Sequence, residues 1–190
     1  MKISKPFCYA AWTTAQYQGT NGIAPCCEWK GDPFEGSIGD YATSDYLSKI
    51  KTAMENHDED VISKNCIECI ETESLGDNSA RYYINKYVES GRYTPGQLGK
   101  LDYRPDNLCN LKCRMCGPGS SSLIEEEYLT PEAQQTASEL HFNTGINGPI
   151  QIRDTEDILD FDLSNLKEIA ILGGEPTVNK KVFPILDYLI

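Results

Sequence analysis

Apolar residues recur along this chain with two periods, and the switch between them outlines the elements. In the first half, residues 15 to 27 read as a short hairpin. Asn21-Gly22 is a strong turn signal, and Ile23-Ala24 leads back to Pro25-Cys26-Cys27. Leu47, Ile50 and Met54 then fall on one face of a helix over 44 to 55, which Ser44 can cap. A second helix spans 79 to 90, with Tyr83, Tyr87 and Val88 as its apolar stripe and Gly91 as its stop. Between them Cys66-Ile67-Glu68-Cys69 forms a small knuckle.

The second half alternates strand and helix. Leu101 and Tyr103 alternate in a strand over 100 to 104. A helix over 120 to 128 has Ser122 and Glu125 spaced as a capping box, and Thr130-Pro131 opens another short one. Residues 141 to 153 are rich in Asn and Gly and read as loop, with an extended piece at 150 to 152. Residues 166 to 172 form a buried strand ending at Gly173-Gly174-Glu175-Pro176. Asn179 then opens a final helix with Val182, Phe183, Leu186 and Leu189 inward. Two consecutive strand–helix units imply a parallel α/β arrangement. Gly91, Pro95, Gly96 and Gly99 mark a boundary. It separates a small cysteine-rich α+β module over 1 to 92 from an α/β part over 99 to 190.

Charge and length narrow the function. The 190 residues carry 17 Lys+Arg against 29 Asp+Glu, a net charge of −12, which disfavours nucleic acid and anionic membranes as partners. Phe7-Cys8-Tyr9-Ala10-Ala11-Trp12 is too short for a signal peptide, and no stretch approaches a membrane span. The expectation is a soluble, cytoplasmic protein. Eight cysteines in a reducing compartment point to metal rather than disulfides.

Cys109, Cys113 and Cys116 lie on one tight run, followed by Gly117-Pro118-Gly119, which lets the chain turn away. Zinc sites usually pair cysteines and close with a fourth ligand. A lone trio can hold three irons of a cubane and leave the fourth open for a substrate or cofactor. His57 and His141, the only histidines, do not stand at ligand spacing. Gly173-Gly174 ends the next strand, and ligands of open α/β sheets and barrels sit at such carboxyl ends.

The trio with its preceding strand, together with Gly173-Gly174-Glu175-Pro176, resembles the radical S-adenosylmethionine superfamily. The resemblance implies a partial, TIM-like (β/α)6 barrel and a [4Fe-4S] cluster on Cys109, Cys113 and Cys116. The open iron would chelate the amino and carboxylate groups of S-adenosyl-L-methionine, with backbone groups at Gly173, Gly174 and Glu175, next to Pro176, receiving the amino group. One electron from the cluster would cleave the sulfonium and release a 5′-deoxyadenosyl radical, which abstracts hydrogen from a substrate. A flavodoxin- or ferredoxin-type donor would supply the electron. No side chain is assigned a catalytic role beyond the cluster. Met115 stands where the family usually has an aromatic residue near adenine, and a thioether can also pack on a ring.

The first half is similar to the auxiliary cluster modules of the same superfamily, the SPASM and twitch types. This likeness implies a second, closed cluster on Cys8, one of Cys26 or Cys27, Cys66 and Cys69, with Cys26 favoured and a zinc knuckle as the alternative. The module usually follows the barrel, and here it precedes it. It also suggests a peptide or small-molecule substrate. Elsewhere, Glu125-Glu126-Glu127 reads as a solvated helix face, Tyr82, Tyr83 and Tyr87 as packing, Trp12 and Trp29 as core, and Lys112 and Arg114 as charge balance for the cluster. Only two of about six strand–helix units are present, so the chain reads as a fragment of a longer frame or half of a split enzyme. A non-enzymatic iron–sulfur electron carrier and a zinc-stapled interaction module are the competing functions.

Overall fold

The computed structural model describes residues 7–17, 22–139 and 156–190. A short helical turn, α1 (Ala10–Thr13), feeds strand β1 (Thr14–Tyr17). β1 pairs antiparallel with β2 (Ile23–Ala24), Gln16 opposite Ala24 and Tyr17 opposite Ile23. This is the expected hairpin, although Asn21 of its turn lies outside the described residues. Gly22 has φ of 128°, and a Cβ there would stand 2.3 Å from the Phe34 carbonyl oxygen, so only glycine fits.

A helical layer follows: α2 (Ile38–Thr43), α3 (Asp45–Glu55), α4 (Glu59–Asn65), α5 (Ile67–Ser74) and α6 (Ala80–Glu89). Ser44 caps α3 as expected, its hydroxyl accepting from Leu47 N at 3.1 Å, and Leu47, Ile50, Ala53 and Met54 are buried. α2, α4 and α5 extend the expected pattern. Each of α2 and α4 starts on a side-chain cap, Ser37 and Asp58. α6 has the expected bounds and Ser79 cap, but its inward stripe differs in part. Arg81 is its buried residue and Ile84, Asn85, Tyr87 and Val88 are half-buried, so Tyr87 and Val88 of the expected stripe face inward while Tyr83 is exposed. A guanidinium with a carboxylate partner can take a core position that a polar side chain alone could not.

Strand β3 (Lys100–Tyr103) pairs parallel with β1, Ala15 opposite Leu101, and the sheet order is β2-β1-β3-β4. Leu101 and Tyr103 are fully buried. Then come α7 (Ser122–Tyr128), α8 (Pro131–Glu139), α9 (Glu156–Leu159), β4 (Glu168–Ile171) and α10 (Val182–Leu189). The sheet is mixed and the architecture α/β. β4 is half-buried along its length rather than buried. α10 starts at Val182, because the Asn179 amide oxygen accepts from Lys181 N at 3.0 Å in a turn instead of capping the helix. Val182 and Ile185 face inward, and Phe183 is exposed. The loop expected over 141 to 153 lies outside the described residues.

The chain divides into two compact units. One takes the described residues up to Asp102 with Asp160–Ala170, and the other takes Tyr103–Leu159 with Ile171–Ile190. Among the described residues, no helix is long and apolar enough to cross a membrane.

Candidate metal centres

Four segments of the first unit bring cysteines to one cavity. Cys8 precedes α1, and Asn85 of α6 clamps its segment from both sides. The Asn85 side chain accepts from Tyr9 N at 3.0 Å and donates to Phe7 O at 2.8 Å. Cys26 lies in the turn after β2, where Trp29 N donates to Cys26 O at 3.3 Å. Lys30 N donates to Asn65 O at 3.1 Å, which ties that turn to the end of α4. Cys66 sits at the α4–α5 joint, and Cys69 lies one turn into α5.

Cys8, Cys26, Cys66 and Cys69 all line this cavity, together with Trp29, Met54 and Arg81. Cys27, beside Cys26, is exposed and does not line it. Burial pushes the Cys8 thiol up to about 12, with the charges of Cys66 and Cys69 adding to it and Arg81 opposing. Burial likewise pushes Cys66 up to about 11, against Arg81. Burial, then the charge of Cys8, raises Cys26 well above an ordinary thiol. Ionising Cys8, Cys26 and Cys66 in this buried space therefore needs a nearby positive charge.

Arg81 supplies one such charge. Its Nε donates to Glu73 Oε1 at 3.0 Å, and its Nη2 donates to Glu73 Oε2. Ser79 donates to the same carboxylate at 2.5 Å. Arg81 is only 5% exposed, and its Nη1 has no hydrogen-bond partner. Sequence reasoning missed Glu73, Arg81 and Asn85. The available signal was that Arg81 and Asn85 share a face of α6 with Ile84 and Val88.

The donor set is that of a thiolate-held metal centre, but the side chains are not gathered. Among the described residues, no three His, Cys, Asp or Glu side chains stand close enough to hold a metal ion. The cavity's free space is about 20 Å3, room for about one water and less than an iron–sulfur cube requires. Seating a cube there would require the thiols to move outward.

The second unit carries Cys109, Cys113 and Cys116 on the loop between β3 and α7. Cys113 and Cys116 are exposed and Cys109 half-buried. Cys116 N donates to Cys113 O at 3.0 Å, which closes a tight turn. The Cys116 thiol is raised by slight desolvation, then by the charges of Cys113 and Cys109, so the three thiols lie within each other's field. The loop is anchored at both ends. Cys109 N donates to the Ser122 hydroxyl at 3.1 Å, and the Ser121 hydroxyl donates to Leu111 O at 2.7 Å. Lys112 pairs with Glu127.

Helix α7 contributes a buried brace. Ser121, rather than Ser122, is its cap, accepting from Ile124 N at 3.4 Å. Glu125 is buried rather than solvated, and accepts from Asn107 Nδ2 at 2.6 Å; the same amide donates to Pro118 O at 2.9 Å. Glu126 and Glu127 are exposed, as expected of a solvated face. Asn107 thus pins both ends of the cysteine loop.

Gly173-Gly174-Glu175 packs on the segment that leads into this loop. Gly174 N donates to Asp106 O at 3.2 Å and Glu175 N to Leu108 O at 2.8 Å. A Cβ on Gly174 would stand 1.9 Å from Leu108 O, and one on Gly173, at φ of 104°, 2.3 Å from Asp106 O. The glycines permit close approach of the chain's own backbone, before any ligand is considered. The Asn179 amide donates to Asp106 Oδ1 at 2.7 Å, fixing the same junction. Glu175 turns back on Thr177, whose hydroxyl donates to it at 2.7 Å. Pro176 is half-buried, and the Met115 side chain is 99% exposed.

Compared with protein-family models, curated proteins and solved structures, the chain has no significant match.

Proposed function

We propose that this chain is the cluster-binding part of a radical S-adenosylmethionine enzyme, with Cys109, Cys113 and Cys116 as ligands of a [4Fe-4S] cluster. The observation that carries this reading is the junction of the cysteine loop with the glycine loop. Two backbone hydrogen bonds and two glycines bring Gly173-Gly174-Glu175 against Asp106 and Leu108, one residue before Cys109. A radical S-adenosylmethionine site would use such a junction to hold the glycine loop beside the open iron.

Bound there, the cluster would deliver one electron to the sulfonium of S-adenosyl-L-methionine, so that the C5′–S bond breaks, methionine leaves and the 5′-deoxyadenosyl radical takes hydrogen from substrate. The protein's part is to hold three thiolates and orient the cofactor. The carbonyls of Gly173 and Gly174 would be the acceptors for the amino group, since the N–H groups of Gly174 and Glu175 are already engaged and Glu175 O accepts from Val178 N at 3.1 Å. Met115, which is exposed, would pack against adenine in place of an aromatic residue. A flavodoxin- or ferredoxin-type protein would recharge the cluster, and the substrate class is a peptide or small molecule in a barrel of the TIM-like (β/α)6 type. Cytoplasmic location accords with the reduced thiols.

Cys8, Cys26, Cys66 and Cys69 would hold the auxiliary centre. The small cavity favours a single zinc as the second reading for that site alone. Anaerobic reconstitution with iron and sulfide tests both. Two cubanes give about eight irons per chain and a broad absorbance near about 400 nm. With dithionite and S-adenosyl-L-methionine, the reconstituted protein should form 5′-deoxyadenosine, and Cys113→Ala should abolish it. A colourless protein with tightly held zinc would sink the proposal.

A further inference from the structure

We propose that the first unit holds a small-molecule site between its sheet and α6, built for a neutral, flat heterocycle that donates N–H groups, of the aminated pyrimidine or purine kind. The parallel register sets Thr14 opposite Lys100 and Gln16 opposite Asp102, and registered residues of neighbouring strands share a face. These four side chains, with Glu168 of the neighbouring β4, line one wall of a cavity, while Leu101 is buried on the other face of the sheet. Residues 80, 83, 84 and 87 of α6 fall on one side of the helix and line the opposite wall. The cavity between them measures about 240 Å3, just below the range of small-molecule sites, about 300–1,000 Å3. The site draws on the first unit alone and stands or falls independently of any cluster.

A helix packed on a sheet normally meets it through a filled, apolar contact. Here the sheet side is polar and the space is open. Gln16 and Asp102 are only 6% and 8% exposed, yet Gln16 Oε1 and Asp102 Oδ1 have no hydrogen-bond partner. Buried polar atoms are normally satisfied, and a carboxylate can only accept. The missing partner of Asp102 is therefore a donor. Water could serve either oxygen singly, but it makes no use of Tyr83 and Tyr87 on the other wall. A flat ring with adjacent N–H groups serves both walls. Charge then selects among such rings. Lys100 pairs with Asp102 at 3.5 Å and with Glu168 at 3.2 Å, and Arg92 pairs with Glu168 at 3.2 Å. Two cations balance two carboxylates, so an ionised ligand would bury an uncompensated charge. The Lys100 ammonium beside Asp102 suits a ring carbonyl next to the N–H groups.

The test is titration of the full chain with isocytosine, which is neutral near physiological pH and sets two adjacent N–H donors beside a carbonyl. Binding is followed in amide correlation spectra by nuclear magnetic resonance. Pyrimidine serves as the ring without N–H donors, and benzylamine as a cationic ring of similar size. Isocytosine should bind in the millimolar range or tighter, shift the Gln16 side-chain amide, and bind about tenfold more tightly than either comparison ring. Asp102→Asn should weaken it about tenfold. Should Asp102→Asn fail to fold by circular dichroism, Tyr83→Ala, at an exposed position, carries the test and should weaken binding about fivefold or more. Absence of isocytosine binding overturns the proposal. So does comparable or tighter binding of pyrimidine, which removes the need for a donor, or of benzylamine, which makes the site one for cations. Isocytosine binding that the folded variants leave unchanged places the ligand elsewhere and overturns it too.

Discussion

Glu73 keeps Arg81 charged where that side chain has lost most of its water. Burial pushes the Glu73 carboxyl up, but hydrogen bonds from Arg81 and Ser79 outweigh burial and hold it below the ordinary carboxylate value. Unfolded, Glu73 takes up its proton at about 4.3, before the folded form does. Its stabilisation is thus complete above that pH and is lost as pH falls through the lower folded value. Glu73→Gln should destabilise by about 2 kcal/mol near neutrality, since Glu73 is partly exposed. Urea midpoints of wild type and variant should converge as pH falls toward about 3. A gap that stays constant with pH would remove the ionic part of this account. At the glycine loop, Gly174→Ala forces a methyl group into the Leu108 carbonyl. It should cost about 1–3 kcal/mol, read as a lower urea midpoint at unchanged slope. None of these contacts was legible in the sequence. A lone arginine reads as solvent-facing, and its partner lies eight residues earlier on another helix. Gly173-Gly174 was legible as special, but not that the close neighbour is the chain itself.

Helix α7 shows how an element can be read correctly and its faces misread. Its existence follows from the Ser122 and Glu125 spacing, while Glu125 joins Glu126 and Glu127 in a charged run that looks solvated. The Asn107 amide, delivered by the segment after β3, turns one of the three inward. Glu125→Ala should leave that buried amide short of an acceptor and cost about 1–3 kcal/mol. Glu125→Gln, which keeps an acceptor oxygen, should cost less. Equal losses in the two denaturation curves would show that the bond contributes nothing specific. α6 repeats the lesson: its bounds follow from Ser79 and Gly91, and Tyr87 and Val88 are half-buried as expected, but Tyr83 is exposed and Arg81, Ile84 and Asn85 turn inward. Strand β3 was legible because Leu101 and Tyr103 alternate with polar neighbours and both are fully buried, but Asp102 between them is buried as well.

Across the whole molecule, short-range pattern carried the α/β class, the hairpin and both cysteine groups. Long-range return did not show. Asp160–Ala170 belongs with the first unit, and no local signal in those residues announces it. The trio was legible because its three cysteines lie within eight residues, whereas Cys8, Cys26, Cys66 and Cys69 come from segments far apart in the chain. The central claim is that Cys109, Cys113 and Cys116 hold a cluster with one iron open to S-adenosyl-L-methionine. The direct measurement is the electron paramagnetic resonance spectrum of the reduced, reconstituted chain carrying Cys66→Ala and Cys69→Ala. About four irons per chain should remain, and the spectrum should change when S-adenosyl-L-methionine is added. A protein that retains no iron, or a cluster signal indifferent to the cofactor, would contradict it.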